Sequence, residues 1–221
     1  MSPRGTPRRH LPLLLKGELV RRSLSVLACF IVAVVLAATP AAADGVRWGH
    51  TNYVTAENNN SASPVIHADT AFALDQDGSA VTDTNVAYAH SFDCTGCRSV
   101  AVALQVVVVE GSPTNYQPQN GAVALNENCQ SCQTFAYAHQ YVIQTPVVHV
   151  TKVDNATIQQ VMSIQSQISQ VAQSNVDFPT MSSQLDQLSL NLYNVVYQFL
   201  QNHGNSGRSH DSEHRLVQQK D

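Results

Sequence analysis

Two Cys-x-x-Cys pairs, Cys94-Thr95-Gly96-Cys97 and Cys129-Gln130-Ser131-Cys132, are the residues of this chain best equipped to do chemistry. At that spacing four sulfurs can close as disulfides, hold a tetrahedral zinc ion, or cycle between thiol and disulfide as a redox catalyst. Each fate asks for different surroundings. Zinc ribbons carry such knuckles at hairpin tips, although the thirty-one residues between Cys97 and Cys129 exceed the usual spacing and neither knuckle carries the usual Pro together with Gly. A catalytic thiol needs a helix N-terminus or neighbouring cations to lower its pKa; here strand-like sequence flanks both motifs, and Arg98 is the only cation nearby. Disulfides need only an oxidising compartment, and four cysteines allow three connectivities. Pairing within each motif closes a tiny loop, whereas pairing across the motifs would add about 3 to 4 kcal/mol in the chain-entropy treatment.

The N-terminus speaks to the compartment. Arg4, Arg8, Arg9, Lys16, Arg21 and Arg22 precede an apolar run from Leu24 to Ala38, followed by Thr39-Pro40-Ala41-Ala42-Ala43. That order of charge, apolar stretch and small residues is a secretory signal over residues 1–43, cut after Ala43. The run is shorter than the roughly twenty residues a spanning helix needs. An uncleaved membrane anchor through residues 24–38 is the alternative. Either way the product is secreted or held at the cell surface. Cleavage leaves six basic residues against fifteen acidic ones, a net charge of about −9. A nucleic-acid partner is excluded on that balance, because phosphate contacts need clustered Lys and Arg.

The cysteines lie in a duplicated segment. With Cys94 set on Cys129, Asn85 falls on Asn120, Ala87 and Ala89 on Ala122 and Ala124, Ala101 and Ala103 on Ala136 and Ala138, Gln105 on Gln140 and Val107 on Val142. Each copy alternates with period two: Val86, Tyr88 and His90 between alanines, then Val100, Val102 and Leu104 between alanines, and likewise Phe135, Tyr137, His139 and Tyr141. Such alternation predicts strands, and the continuous run Val106 to Val109 predicts burial on both faces. Strands abutting each cysteine pair predict two β-hairpins tipped by Cys-x-x-Cys, with Ala89 opposite Val102 and Ala103 opposite Tyr88. Ala71-Phe72-Ala73-Leu74 predicts one further strand without cysteines, and residues 44–63 read as a polar linker ahead of the duplicated domain, residues 64–150.

After Pro146 the period changes. Val161, Ile164, Ile168 and Val171, then Met181, Leu185, Leu188, Leu192, Val195 and Phe199, fall at spacings of three and four. Two amphipathic helices follow, with Asp154 as N-cap of the first and Asp177 or Thr180 as N-cap of the second. The short link between them predicts an antiparallel helical hairpin over residues 154–202, whose seam packs on the sheet or serves self-association. Residues 203–221 read as a disordered tail.

Other constellations are weaker. His90 and His139 each end an Ala-Tyr-Ala-His string and could form a polar or metal-binding strip with Tyr88 and Tyr137; strand histidines satisfied by neighbours are the plainer reading. His210 and His214, four apart, could hold a metal only on a helix. No His-Glu-x-x-His, Gly-x-Ser-x-Gly or phosphate-binding glycine loop is present, so no enzyme is expected.

The duplicated Ala-x-Ala strands, Cys-x-x-Cys, Ala-x-Ala-x-Gln and Val-rich strand, followed by a helical pair, resemble uncharacterised exported or membrane-associated proteins of actinobacteria, over about residues 65–200. A segment of this kind sometimes carries the name peptide zinc metalloprotease, but the metal-binding helix motif of those proteases is missing here. The resemblance implies a compartment and a non-enzymatic role, or an accessory one beside a membrane metalloprotease or redox system. The expectation is therefore an α+β protein: a small antiparallel sheet of two cysteine-tipped hairpins and a helical hairpin. Its role is a structural or interaction module for a protein or cell-surface partner. Cys94, Cys97, Cys129 and Cys132 serve as disulfides without a cofactor or, alternatively, as a zinc site.

Overall fold

Residues one repeat apart lie side by side, in strands that run the same way. The computed structural model describes residues 47–75, 80–145, 153–202 and 208–212; the expected signal, residues 1–43, and His214 lie outside them. The chain forms β1 (Arg47–Trp48), β2 (Thr51–Asn58), β3 (Val65–Asp75), β4 (Ala80–Val81), β5 (Thr84–Phe92), β6 (Arg98–Glu110), β7 (Asn115–Tyr116), β8 (Gln119–Glu127) and β9 (Gln133–Thr145). Next come α1 (Asn155–Gln173), α2 (Phe178–Asn202) and β10 (Arg208–Ser212). Three coils of a parallel β-solenoid result. The short strands β2, β5 and β8 stack into one sheet, the long strands β3, β6 and β9 into a second, and β4 pairs with β7 on the return connection. β1 runs parallel to β3, while β10 pairs antiparallel along the free edge of β9.

The expected antiparallel hairpins are not formed. Ala89 pairs with Ala56 and Ala124, not Val102, and Ala103 with Asp69 and Ala138, not Tyr88. At the cysteine corner the chain leaves one sheet and enters the other, so the two strands flanking each motif face each other across the interior instead of sharing hydrogen bonds. The expected linker, residues 44–63, is corrected too. It carries β2, whose inward residues Asn52, Val54, Ala56 and Asn58 complete the first coil. Of the expected disordered tail, residues 208–212 form β10.

Alanine explains why the coil is thin. Ala56, Ala87, Ala89, Ala101, Ala103, Ala122, Ala124, Ala136 and Ala138 fill the space between the sheets with Val54. Methyl groups there let the sheets approach more closely than the roughly 10 Å usual for larger side chains. Further along the strands the interior holds polar ladders. Asn52 Nδ2 donates to Asn85 Oδ1 at 2.9 Å, and Asn85 Nδ2 to Asn120 Oδ1 at 2.7 Å. Gln140 Nε2 donates to Gln105 Oε1 at 2.7 Å. Spare amide hydrogens reach carbonyls of the facing sheet, Asn52 to Leu104 and Asn120 to Ala138. The amide NH2 groups are thereby hydrogen-bonded, as low-dielectric surroundings demand, while Asn52 Oδ1 at the end of its ladder is buried without a partner. Beyond the ladders Ala73, Val81, Val107, Val109 and Val142 form a second apolar cluster.

The long-strand sheet is buried twice. Its second face, with Val100, Val102, Leu104, Phe135, Tyr137 and Ile143, lies under α1 and α2 through Val161, Ile164, Ile168, Leu185, Leu192 and Phe199. Val106 to Val109 are accordingly all buried. Asp154 and Asp177 cap the helices, their carboxylates accepting from the amides of Thr157 and Thr180 at 2.9 Å each. Among the described residues no helix is long and apolar enough to cross a membrane.

Candidate functional site

Both cysteine motifs occupy the same corner on successive coils. The corner turns through two left-handed residues, Asp93 and Gly96 on one coil and Asn128 and Ser131 on the next. Asp and Asn tolerate that region because a short polar side chain bonds locally, and Gly has no Cβ to clash. Ser131 adopts it without either advantage in full. The corners stack through backbone bonds: Asp93 N to Glu127 O at 3.0 Å, Gly96 N to Gln130 O at 2.8 Å and Gln133 N to Cys97 O at 2.8 Å. Asn128 Nδ2 also donates to Asp93 Oδ1 at 3.1 Å. On the first coil, which has no cysteine, Asn58 in register with Ser91 holds the corner, its Nδ2 reaching Ser63 O at 3.0 Å and Arg98 O at 3.1 Å.

Stacking brings all four sulfurs together. Cys94 is bonded to Cys97 and Cys129 to Cys132, each within its own motif. Across the coils Cys94 Sγ lies 3.3 Å from Cys129 Sγ and 3.7 Å from Cys132 Sγ. Cys97 and Cys132 are buried, while Cys94 and Cys129 are half-buried. Cys94, Cys97 and Cys132 are close enough to share one ion. Arg98, the one cation beside the motif in sequence, is committed elsewhere. Its guanidinium donates to Gln133 Oε1 at 2.8 Å and to the Ser174 carbonyl at 2.9 Å, and lies 5.3 Å from the centre of the Phe178 ring. It thus binds the corner to the C-terminal end of α1, where a cation suits the helix dipole. No helix N-terminus is among the groups that touch the sulfurs, so the features that activate a redox thiol are missing from the contacts described.

Neither a family model, nor a curated protein, nor a solved structure matches this chain.

The paired histidines do not meet. His90 faces outward on the short-strand sheet, its Nε2 3.4 Å from Glu127 Oε2 and its ring 4.9 Å from that of Phe92. His139 faces the helices, stacked on Tyr141 at 4.4 Å. Beside it Tyr137 donates to Asp186 Oδ1 at 2.8 Å, and burial pushes its phenol well above the usual range. The His–Tyr strip is thus split between two sheets and two faces. Gln105 and Gln140 are structural ladder residues. Of the other pair, His210 lies on β10, a strand rather than the helix a four-residue spacing would need.

One cluster had no sequence signature. His50, Asp75 and Asp83 converge at the other end of β5 from the cysteines, with His50 Nδ1 3.1 Å from Asp75 Oδ1 and 3.0 Å from Asp83 Oδ1. An open pocket nearby, lined by Val109, Ser112, Pro113, Tyr116, Val142 and Gln144, contains no such grouping.

Proposed function

We propose that the chain is an exported, non-enzymatic structural or interaction module whose cysteines act as clasps. The observation that carries this reading is the stacked corner. Two short-range disulfides lie on adjacent coils at a turn, and the nearest cation is engaged with a glutamine, a helix carbonyl and a ring. Such sulfurs hold a turn; they do not attack a substrate. The face offered to a protein or cell-surface partner is the outer side of the short-strand sheet. There Tyr53 is 56% exposed, with Val123 and Leu125 also exposed, and the acidic residues Glu57 and Glu127 stand toward the cysteine end of the same face. The helical seam is occupied by packing on the long-strand sheet.

A second reading has its own observation. The cross-coil sulfur separations of 3.3 and 3.7 Å approach the edge of a zinc–thiolate tetrahedron, about 3.8 Å for Zn–S bonds of 2.3 Å. The grouping of Cys94, Cys97 and Cys132, with Cys129 beside Cys94, supports a zinc site in the reduced protein. Chelation separates the readings: EDTA leaves the circular dichroism of the natively exported protein unchanged if the cysteines are clasps. Loss of β-structure together with release of one zinc per chain supports the zinc module and overturns the first reading.

A further inference from the structure

The His50, Asp75 and Asp83 cluster is positioned by the coil itself. The Gly49 amide donates to Phe72 O at 2.8 Å and Thr84 N to His50 O at 2.8 Å, which fixes the loop carrying His50 against the strand ends. The Asp83 carbonyl accepts from Gln119 N at 2.8 Å and from the ladder amide of Gln140 at 3.2 Å. Its side chain is therefore held from behind and projects toward His50 and Asp75. The one ligand atom each residue offers lies within 4.8 Å of the others.

Charge in this cluster is unbalanced. The Asp83 side chain is 0% exposed, and its Oδ2, like that of Asp75, is buried without a hydrogen-bond partner. Burial, with the neighbouring Asp75 carboxyl, pushes Asp83 up to about 6 from an ordinary 3.8. Two facing carboxylates call for a positive charge between them, and a buried unpaired oxygen costs free energy unless something binds it. The His50 side chain, by contrast, is 62% exposed, which leaves a route from solvent and room for water ligands. One imidazole nitrogen with two carboxylates suits an oxygen-preferring divalent ion that also accepts nitrogen.

We propose that His50, Asp75 and Asp83 bind one divalent cation of the Mn2+ class, at the end of β5 away from the cysteine corner. The nine residues of β5 put the two places roughly 30 Å apart at about 3.3 Å per residue. Bound there, the ion ties the loop before β2 to the end of β3 and the start of β5, so it clamps the first two coils together.

Mn2+ itself is the probe, because disulfides do not ligate it. The mature chain titrated with Mn2+ is expected to quench the free-ion paramagnetic resonance signal at one equivalent. Asp83→Asn and His50→Ala should each weaken binding by more than the roughly tenfold that loss of an outer-sphere partner costs. His50→Ala removes a largely exposed side chain and keeps the test open should Asp83→Asn fail to fold, with circular dichroism as the check. Failure of the folded wild-type chain to bind Mn2+, or equal binding by a folded variant, overturns the proposal and leaves the cluster a proton-sharing ion pair.

Discussion

The two sheets of the coil have the same inner face and opposite outer ones. Inside, both present alanine and amide ladders. Outside, the long-strand sheet carries Val100, Val102, Leu104, Phe135 and Ile143 under two helices, whereas the short-strand sheet carries Tyr53, Val123 and Leu125 toward solvent. A thin alanine interior offers little apolar area per residue, so the coil draws much of its hydrophobic stabilisation from the roof. The open face is relieved of that duty. It is a surface whose residues can change without unfolding the protein.

Substitutions should reproduce that asymmetry. Phe135→Ala, beneath the helices and stacked on Phe178 at 5.0 Å, should cost about 3 to 5 kcal/mol in a denaturant melt. Ala103→Leu, inside the coil, should cost about 1 to 3 kcal/mol by forcing the sheets apart; a negligible cost would show that the interior is looser than the ladders imply. The end of the short-strand sheet should show an inverted pH response. Asp83 has a folded pKa of about 6 against 3.8 unfolded, so the folded state binds more protons between those values. Its contribution to stability is present below about pH 4 and is lost as pH rises through 6. Asp83→Asn should remove that decline in melts run from pH 4 to 7. At the corner, Ser131→Gly should stabilise by about 1 kcal/mol, since Ser131 sits at φ 55°. Gly96→Ala should destabilise similarly through its φ of +70° alone, because nothing lies within 4 Å of a Cβ there. Smallest of all, Tyr53→Ser and Leu125→Ser on the open face should stay within about 0.5 kcal/mol. If they instead destabilise as Phe135→Ala does, the open face is a core surface of this protein.

Helix and strand periods could be read directly, because a 3.6-residue seam such as Leu185, Leu188 and Leu192 and a two-residue alternation such as Ala101 and Ala103 each follow from one element's own geometry. Strand partners could not. Alternating alanine fits a hairpin as well as a coil, since period two says which face a residue occupies and not which strand lies beside it. The deciding signal was the polar part of the repeat. Asn85 with Asn120 and Gln105 with Gln140, identical and one repeat apart, are what in-register parallel stacking pairs as ladders. β2 reads as linker because its inward residues include only Val54 and Ala56 as apolar groups, among asparagines. Spacing marked the cysteine motifs as turns, but a turn between two hydrogen-bonded strands and a corner between two sheets share that spacing, so the hairpin expected there is a corner instead. His50, Asp75 and Asp83 were not legible, because no periodicity links them; the register of β2 on β5 and the bond from Gly49 N to Phe72 O on β3 bring them together.

Disulfide mapping tests the stacked, clasped corner directly. Natively exported protein is alkylated in denaturant without reductant, then digested and analysed by mass spectrometry. The structure requires no labelled cysteine among Cys94, Cys97, Cys129 and Cys132, and peptides closed between Cys94 and Cys97 and between Cys129 and Cys132. Four labelled cysteines, with one zinc released per chain, would contradict it.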